Sequence, residues 1–239
     1  MVKYFGLVKN ILDQTLTKVC ESKGIDQEEA KNQIALYLQN MREEWFSDKQ
    51  PVIAYQDPIC RFAYLYAHVP ANANLCERAI FRTCNDYLES FYEAGKPLKV
   101  CAFGGGPGTE VLALAKYLQT HNDSGQPLDV SFSVLDKVAE WTENVNAIKH
   151  TVHQSFYQQF GAKLHWPMLL DTEFRPIDMT RMNNYANITD AYSYDLYILN
   201  YVVSEVIEHQ DDLGKVIARM KQAAPSGARF VFIDRNQND

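Results

Sequence analysis

A glycine-rich turn that follows an apolar strand and precedes a helix is the feature that most restricts the fold of this chain. Residues 99–103 read as a short buried strand, residues 104–108 supply four glycines, and a helical pattern begins at Thr109. Glycine lets the backbone adopt dihedral angles closed to other residues and approach a ligand closely. A strand, such a turn and a helix in this order predict the first unit of a parallel α/β sheet with a ligand-binding turn.

Strand-like and helical patterns continue to alternate beyond this turn. Parallel pairing is expected, because a strand returns parallel to its predecessor only through a crossover segment, which is commonly a helix. The predicted strands cover residues 130–135, 172–177, 196–200 and 228–233, and the predicted helices cover residues 109–119, 138–159 and 210–224. We therefore expect an α/β, Rossmann-like sheet over residues 98–239.

The preceding part of the chain carries helical patterns instead. Asp26 and Asp57 are placed as N-caps of two helices, and Pro70 is expected to end the second of them. Another helix is expected over residues 72–92. We therefore expect residues 1–97 to form a helical lid or substrate subdomain.

The acidic composition and the cysteine usage restrict the class of protein. The net charge of −7 weakens a nucleic-acid partner without excluding one, because a local basic patch can lie on an acidic protein. The five cysteines form no C-x-x-C pair, so we expect buried thiols and neither a disulfide framework nor a metal site. No apolar stretch resembles a signal peptide or a membrane span. We expect an intracellular protein, cytoplasmic or nuclear, with no membrane contact.

The spacing of the glycines separates the ligand classes that such turns bind. Gly104, Gly106 and Gly108 give G-x-G-x-G, whereas the dinucleotide fingerprint needs a further Gly or Ala where this chain has Thr109. A phosphate-binding P-loop needs a lysine directly after its last glycine, and none follows Gly108. Both phosphate-binding interpretations are therefore disfavoured.

The turn with its flanking strand resembles the first motif of the class I S-adenosylmethionine-dependent methyltransferases. In that family the glycine turn passes under the methionine and ribose parts of the cofactor, so the resemblance implies S-adenosyl-L-methionine as cofactor. The chain departs from the family at Ala102, where members often carry an acid that orients the methionyl amine. The residues that the resemblance places at the cofactor are Phe103, Gly104, Gly105, Gly106 and Gly108.

Two acids that close the next predicted strands fit the same resemblance. Asp136 ends the second strand, where the family's acid accepts hydrogen bonds from both ribose hydroxyls. Asp178 and Met179 end the third strand, where the family places an acid against the adenine amine and an apolar side chain against the ring. Ligands of open α/β sheets bind at the carboxyl ends of the strands, and all of these residues follow such ends.

The segment around the fourth strand resembles the family's fourth motif, which borders the transferred methyl group. Asn200 is implied as a contact to the cofactor, and Asn200 and Glu205 are the candidate catalytic residues. Methyl transfer from a sulfonium needs positioning and, for a weak nucleophile, a base. The Asn-Pro-Pro-Tyr signature of amino-group methylation is missing. His209 is a further candidate, although an exposed position at a helix start is the favoured interpretation.

An aromatic and basic segment before the sheet is the candidate contact to the substrate. Tyr55, Arg61 and Tyr64 could stack a base or another aromatic group, although the tyrosines could equally line the interface with the sheet. Over short stretches the chain is also similar to rRNA and ribosome-associated methyltransferases. The favoured function is therefore a methyltransferase that acts on RNA or protein. A non-catalytic binding protein of the methyltransferase fold is the alternative, and a nucleotide-dependent oxidoreductase is disfavoured by Thr109.

The predicted sheet is shorter at its C-terminal end than the family's, which has two more strands after the fifth. A shortened sheet leaves an exposed strand edge, and such an edge pairs readily with another chain. We therefore expect an oligomer or a partner that covers this edge.

Overall fold

A computed structural model describes residues 4–47, 49–121, 128–160, 168–181, 183 and 193–234. The helices are α1 (Tyr4–Lys23), α2 (Gln27–Trp45), α3 (Pro58–Ala67), α4 (Val69–Ala94), α5 (Thr109–His121), α6 (Trp141–Phe160) and α7 (Gln210–Ala223), with a 3₁₀ helix over Ser204–His209. The strands are β1 (Leu98–Phe103), β2 (Leu128–Asp136), β3 (Met168–Pro176), β4 (Leu196–Asn200) and β5 (Arg229–Ile233).

The five strands form one parallel sheet in the order β3-β2-β1-β4-β5. Phe103 at the end of β1 pairs with Leu135 of β2 on one side and Leu199 of β4 on the other. The chain leaves β1 toward one edge of the sheet and later returns to the opposite side of β1. The loops after β1 and β4 therefore diverge and leave a crevice, which is where ligands bind in open α/β sheets. The predicted α/β, Rossmann-like fold is confirmed.

Helices cover both faces of this sheet, because alternate residues of each strand point to opposite sides. On β1, Val100 and Ala102 belong to a core shared with α1, α4, α5 and α6, whereas Cys101 and Phe103 belong to a second core shared with α7. The strands are apolar on both faces for this reason, as is typical of parallel sheets.

The helices that precede the sheet pack in two different ways. Helices α1 and α4 lie in the larger core of the sheet itself, whereas α2 and α3 share a small cluster around Met41, Cys60 and Ala63. The side chains of Asp26 and Asp57 cap α2 and α3 as predicted. The division of the chain at residue 97 into two domains stays a prediction.

Pro70 does not end a helix, and that prediction is wrong. Helix α3 ends at Ala67, and α4 begins at Val69 with the proline in its first turn. A proline is tolerated there because the first backbone N–H groups of a helix have no partner within it. The two helices therefore meet with only His68 between them.

Several sequence expectations about the chemistry of the chain have a structural counterpart. All five cysteines are buried and none forms a disulfide. In the part of the chain that the structure describes, no helix is long and apolar enough to cross a membrane, and no three potential metal ligands lie together. On β5, the side chain of Phe232 is half exposed, and the expectation that a partner covers this edge stays a prediction.

A buried ion pair holds the N-terminal helices on the sheet. Lys116 Nζ of α5 lies 2.9 Å from Glu77 Oε2 of α4, and the hydroxyl of Tyr4 in α1 donates to the same oxygen at 2.6 Å. The two charged side chains are only 13% and 11% exposed, and the ammonium group also lies 4.3 Å from the centre of the Tyr4 ring. One carboxylate thus joins three helices.

Replacing Glu77 with alanine should lower the free energy of unfolding by about 3 kcal/mol, because it leaves the Lys116 ammonium buried without its partner. Urea denaturation followed by circular dichroism measures this loss. The matched control is Glu28→Ala, which breaks the exposed pair of Glu28 and Lys31 and should change the free energy by less than about 1 kcal/mol. Equal effects of the two substitutions would contradict the assigned role of Glu77.

Candidate active site

A cavity of about 290 Å³ lies in the crevice at the carboxyl ends of β1, β2 and β4. Its volume is close to the lower end of the range for small-molecule pockets, ~300–1,000 Å³. Of the predicted site residues, it brings together Tyr55, Tyr64, Gly104, Gly106, Asp136, Asp178, Met179, Asn200 and Glu205. Its wall also includes Gln50, Pro107, Lys137, Trp141, Thr180, Arg181, Tyr201, Val202, Val206 and His209.

Two glycines of the turn form the floor of this cavity. Gly104 has a φ of +58°, and a Cβ atom there would lie 2.7 Å from Val202 Cγ2 and 3.0 Å from Met179 Cε. Gly106 has a φ of +45°, and its missing side chain faces the ring of Trp141 at 3.6 Å. A larger residue at either position would be strained and would fill the crevice, so glycine keeps the floor open.

Three other residues of the turn have structural positions, which corrects their predicted contact with the cofactor. The Phe103 side chain is buried in the second core, stacked on Tyr197, so it points away from the cavity. Gly105 donates its N–H to the carbonyl of Leu135 at 3.2 Å and packs against the sheet. Gly108, with a φ of +91°, begins the turn into α5. None of the three lines the cavity.

Asp136 presents a buried carboxylate to the cavity. Its Oδ2 accepts the N–H of Gly106 at 3.0 Å, and its Oδ1 accepts the N–H of Val138 at 2.9 Å. Burial raises the pKa of Asp136 to about 6, although these backbone hydrogen bonds act in the opposite direction. The group is therefore ionised at neutral pH and can accept further hydrogen bonds from two neighbouring hydroxyls.

Asp178 and Met179 lie together on the opposite side of the glycine turn from Trp141. Burial acts to raise the pKa of Asp178, but hydrogen bonds from the backbone and side chain of Thr180 outweigh it, so the pKa is lowered. Arg181 forms an ion pair with the same carboxylate at 3.1 Å. The site thus offers an acceptor next to an apolar side chain, which suits an amino-substituted aromatic ring.

Asn200 and Glu110 form a buried polar pair between β4 and α5. Asn200 Nδ2 donates to Glu110 Oε1 at 2.9 Å, and both side chains are less than one tenth exposed. Asn200 Oδ1 and Glu110 Oε2 have no hydrogen-bond partner among the described residues. Sequence reasoning missed Glu110, although its place directly after the glycine turn was visible.

Of the three predicted substrate residues, two line the cavity and one does not. Tyr55 and Tyr64 contact the Trp141 ring, with centroids 5.3 and 5.7 Å apart. Arg61 is instead buried, and its Nη1 donates to the backbone carbonyls of Tyr55 and Gln56 at 3.0 and 2.9 Å. The prediction that Arg61 contacts substrate is therefore wrong, because its guanidinium group holds the loop that carries Tyr55.

A second cavity of about 550 Å³ adjoins the first and opens between α2, α3 and α4. Tyr64, Tyr201 and Glu205 line both cavities, so they mark the passage between them. Tyr201 has a φ of +60°, a strained conformation for a residue other than glycine, and such strain is typical of functional sites. The other lining residues are Leu38, Arg42, Trp45, Phe46, Ala67, His68 and Asn72.

The first cavity fits S-adenosylmethionine by its chemistry. Asp136 is suited to the ribose hydroxyls, Asp178 and Met179 to the adenine, and the unpaired oxygen of Asn200 to the ammonium group. When bound, the cofactor supplies a methyl group on a sulfonium. What this chain contributes is the open glycine floor, buried acceptors and walls that exclude water.

The family of the chain follows from a comparison with protein-family models. Residues 14–235 match the model described as "Putative SAM-dependent methyltransferase". The chain belongs to this methyltransferase family. The enzyme class and the S-adenosylmethionine cofactor implied by the glycine turn are thereby confirmed, and the oxidoreductase alternative is excluded. No curated protein matches the sequence.

Solved methyltransferase structures are similar to this methyltransferase at low identity. The plantazolicin methyltransferase BpumL, in complex with a pentazolic desmethylPZN analog and SAH, is 14% identical with a TM-score of 0.47. The match covers 89% of this chain and 63% of BpumL, so the chain spans less than two thirds of that protein. The bifunctional kinase-methyltransferase WbdD is 19% identical over 62% of this chain and 27% of its own, with a TM-score of 0.37.

Replacing Asp136 with asparagine should weaken binding of S-adenosylhomocysteine roughly 10- to 100-fold, because a charged acceptor of hydroxyl hydrogen bonds becomes neutral. Isothermal titration calorimetry measures the affinity. In the wild type, affinity should fall as the pH falls through about 6, since protonation removes the carboxylate acceptor. The control is Asp129→Asn, an exposed position on the same strand, and equal affinity of both variants would refute the role of Asp136.

Proposed function

We propose that this methyltransferase modifies a nucleobase of RNA, which enters through the second cavity and meets the cofactor at the passage between Tyr64, Tyr201 and Glu205. The observation that carries the proposal is the aromatic lining of a cavity that adjoins the cofactor site. Trp45, Tyr64 and His68 contact one another there, with ring centroids between 4.6 and 6.1 Å apart.

Aromatic walls favour a flat acceptor. Bases of single-stranded RNA are bound by stacking on aromatic side chains, and each stacked base contributes about 1–3 kcal/mol. Phe46, whose side chain is 81% exposed, extends the same wall toward solvent. An exposed phenylalanine next to a cavity is suited to a neighbouring base of the same strand.

Local positive charge supports a polyanionic substrate despite the net charge of −7. Arg42 lies at the wall of the second cavity, and Lys137 and Arg181 lie at the first. Arginine at such a position can bind a phosphate of the backbone while the base is stacked inside.

Glu205 is the proposed base. Its carboxylate lines both cavities and lies near enough to Tyr55 and Tyr64 that its charge, after burial itself, raises the pKa of both phenols. A nucleobase N–H is a weak nucleophile, so a carboxylate that accepts its proton assists attack on the methyl group. Asn200, the other predicted catalytic residue, is assigned to the cofactor instead.

Incubation with tritiated S-adenosylmethionine and fractionated cell extract should label RNA. Replacing Trp45 with alanine should then raise KM for RNA about tenfold with unchanged affinity for S-adenosylhomocysteine, because one stacking surface is lost. The matched control is Phe81→Ala, an exposed aromatic residue of α4 that stacks on His121 outside both cavities.

The fractions that take up tritium decide among the alternatives. Label in protein alone would overturn the RNA proposal and favour a peptide acceptor in the same cavity. No label in any fraction, together with intact cofactor binding, would favour the non-catalytic binding protein. Equal KM values for the Trp45 and Phe81 variants would remove the second cavity from the proposal.

A further inference from the structure

We propose that Glu110 positions the cofactor: it takes over the part of the acid that β1 lacks at Ala102, and it does so by orienting Asn200 so that the Asn200 oxygen accepts a hydrogen bond from the amino group of S-adenosylmethionine. This inference rests on the cofactor of the family and is independent of the proposed acceptor.

The Glu110 carboxylate reaches the space beside Ala102 from the helix that follows the turn. The ideal Cβ position of Gly105 lies 3.0 Å from Ala102 Cβ and 3.3 Å from Glu110 Oε2, so both atoms border the same small space beneath the turn. An acidic side chain at position 102 would compete for this space and bring two carboxylates together. The small Ala102 and the buried Glu110 are therefore complementary features of one site.

The hydrogen bond between Glu110 and Asn200 determines which end of the amide faces the carboxylate. An ionised carboxylate only accepts hydrogen bonds, so the amide nitrogen of Asn200 must face Glu110, as it does at 2.9 Å. The amide oxygen is then directed elsewhere. It is buried and accepts no hydrogen bond within the described structure, while the residue itself lines the cofactor cavity. An unpaired buried acceptor is costly, and an ammonium group of the ligand would satisfy it.

The surroundings of Glu110 make its charge sensitive to pH. Burial raises its pKa to about 7, the hydrogen bond from Asn200 lowers it, and the charge of Asp136 on β2 raises it further. Tyr64 of α3 and Cys76 of α4 are the other titratable groups that interact with it. A protonated Glu110 can donate to the amide oxygen and so turn the Asn200 nitrogen toward the cavity, where it would repel an ammonium group.

The test is Glu110→Gln, which keeps the shape of the side chain but can donate to the Asn200 oxygen. At about pH 8 it should weaken binding of S-adenosylhomocysteine, measured by calorimetry, by roughly tenfold or more. The wild-type affinity should fall as the pH falls through about 7, and in the variant only the step near 6 that belongs to Asp136 should remain.

Stability separates positioning from a structural role. The pKa of Glu110 in the folded protein lies above its ordinary value of 4.5, so its contribution to stability is present at low pH and is lost between about 4.5 and 7. At pH 8 the glutamine variant removes a buried charge, and the melting temperature of the ligand-free protein should not fall. A purely structural role would instead lower the affinity and the melting temperature together.

Two further variants complete the experiment. Asn200→Ala should lose as much affinity as Glu110→Gln, and the double variant should lose little more, because both substitutions remove the same contact. The matched control is Glu89→Gln, since Glu89 accepts a 2.7 Å hydrogen bond from Asn85 on the exposed surface of α4, and its affinity should equal that of the wild type.

Three results would overturn the proposal: a Glu110→Gln affinity within about twofold of the wild type, additive losses in the double variant, or a loss of affinity that follows a loss of stability. Should the glutamine variant fail to fold, the wild type and Asn200→Ala decide the question. A wild-type affinity that is constant between about pH 6.5 and pH 8, or an Asn200→Ala affinity equal to the wild type, would then refute the role of Glu110.

Discussion

The close approach of the glycine turn after β1 to the segment after β4 is the constraint on which the rest of the site depends. The chain changes direction across the sheet between these two strands, so their following loops enclose a crevice. A Cβ atom on Gly104 would lie 2.7 Å from Val202, closer than such atoms approach one another. Only a glycine at this position lets the two loops come together while the floor of the crevice stays open, and every acceptor in the cavity is placed relative to that floor.

The elements of the sheet were predictable because their signals are local, whereas several of their limits depend on distant residues. Apolar runs and glycine or aspartate at their ends identified all five strands. Strand β3 begins at Met168, four residues before its prediction at Thr172, because it pairs along the whole length of β2. That pairing cannot be read from the composition of β3 alone. Pro70 shows the same limit, since a proline fits the first turn of one helix as well as the end of another.

For the site, the sequence identified positions at strand ends but not the direction of each side chain. Asp136 and Asn200 lie at the cavity because a strand end fixes where they are. Phe103 and Arg61 point into the core and into a loop, respectively, because packing of α7 and of the Tyr55 loop decides their orientation. Glu110 was missed for the opposite reason: a glutamate in the first turn of a helix ordinarily has solvent as its partner.

The helices before the sheet complete the cofactor site as well as cover it. Tyr55 and Tyr64 contact Trp141, whose ring faces the open side of Gly106, so the loop before α3 and α3 itself reach the glycine turn. By excluding water, this cover contributes to the burial that raises the pKa of the Asp136 and Glu110 carboxylates. The same segments form the walls of the second cavity. Selection of the acceptor and control of the cofactor's carboxylates are therefore coupled through one set of aromatic contacts.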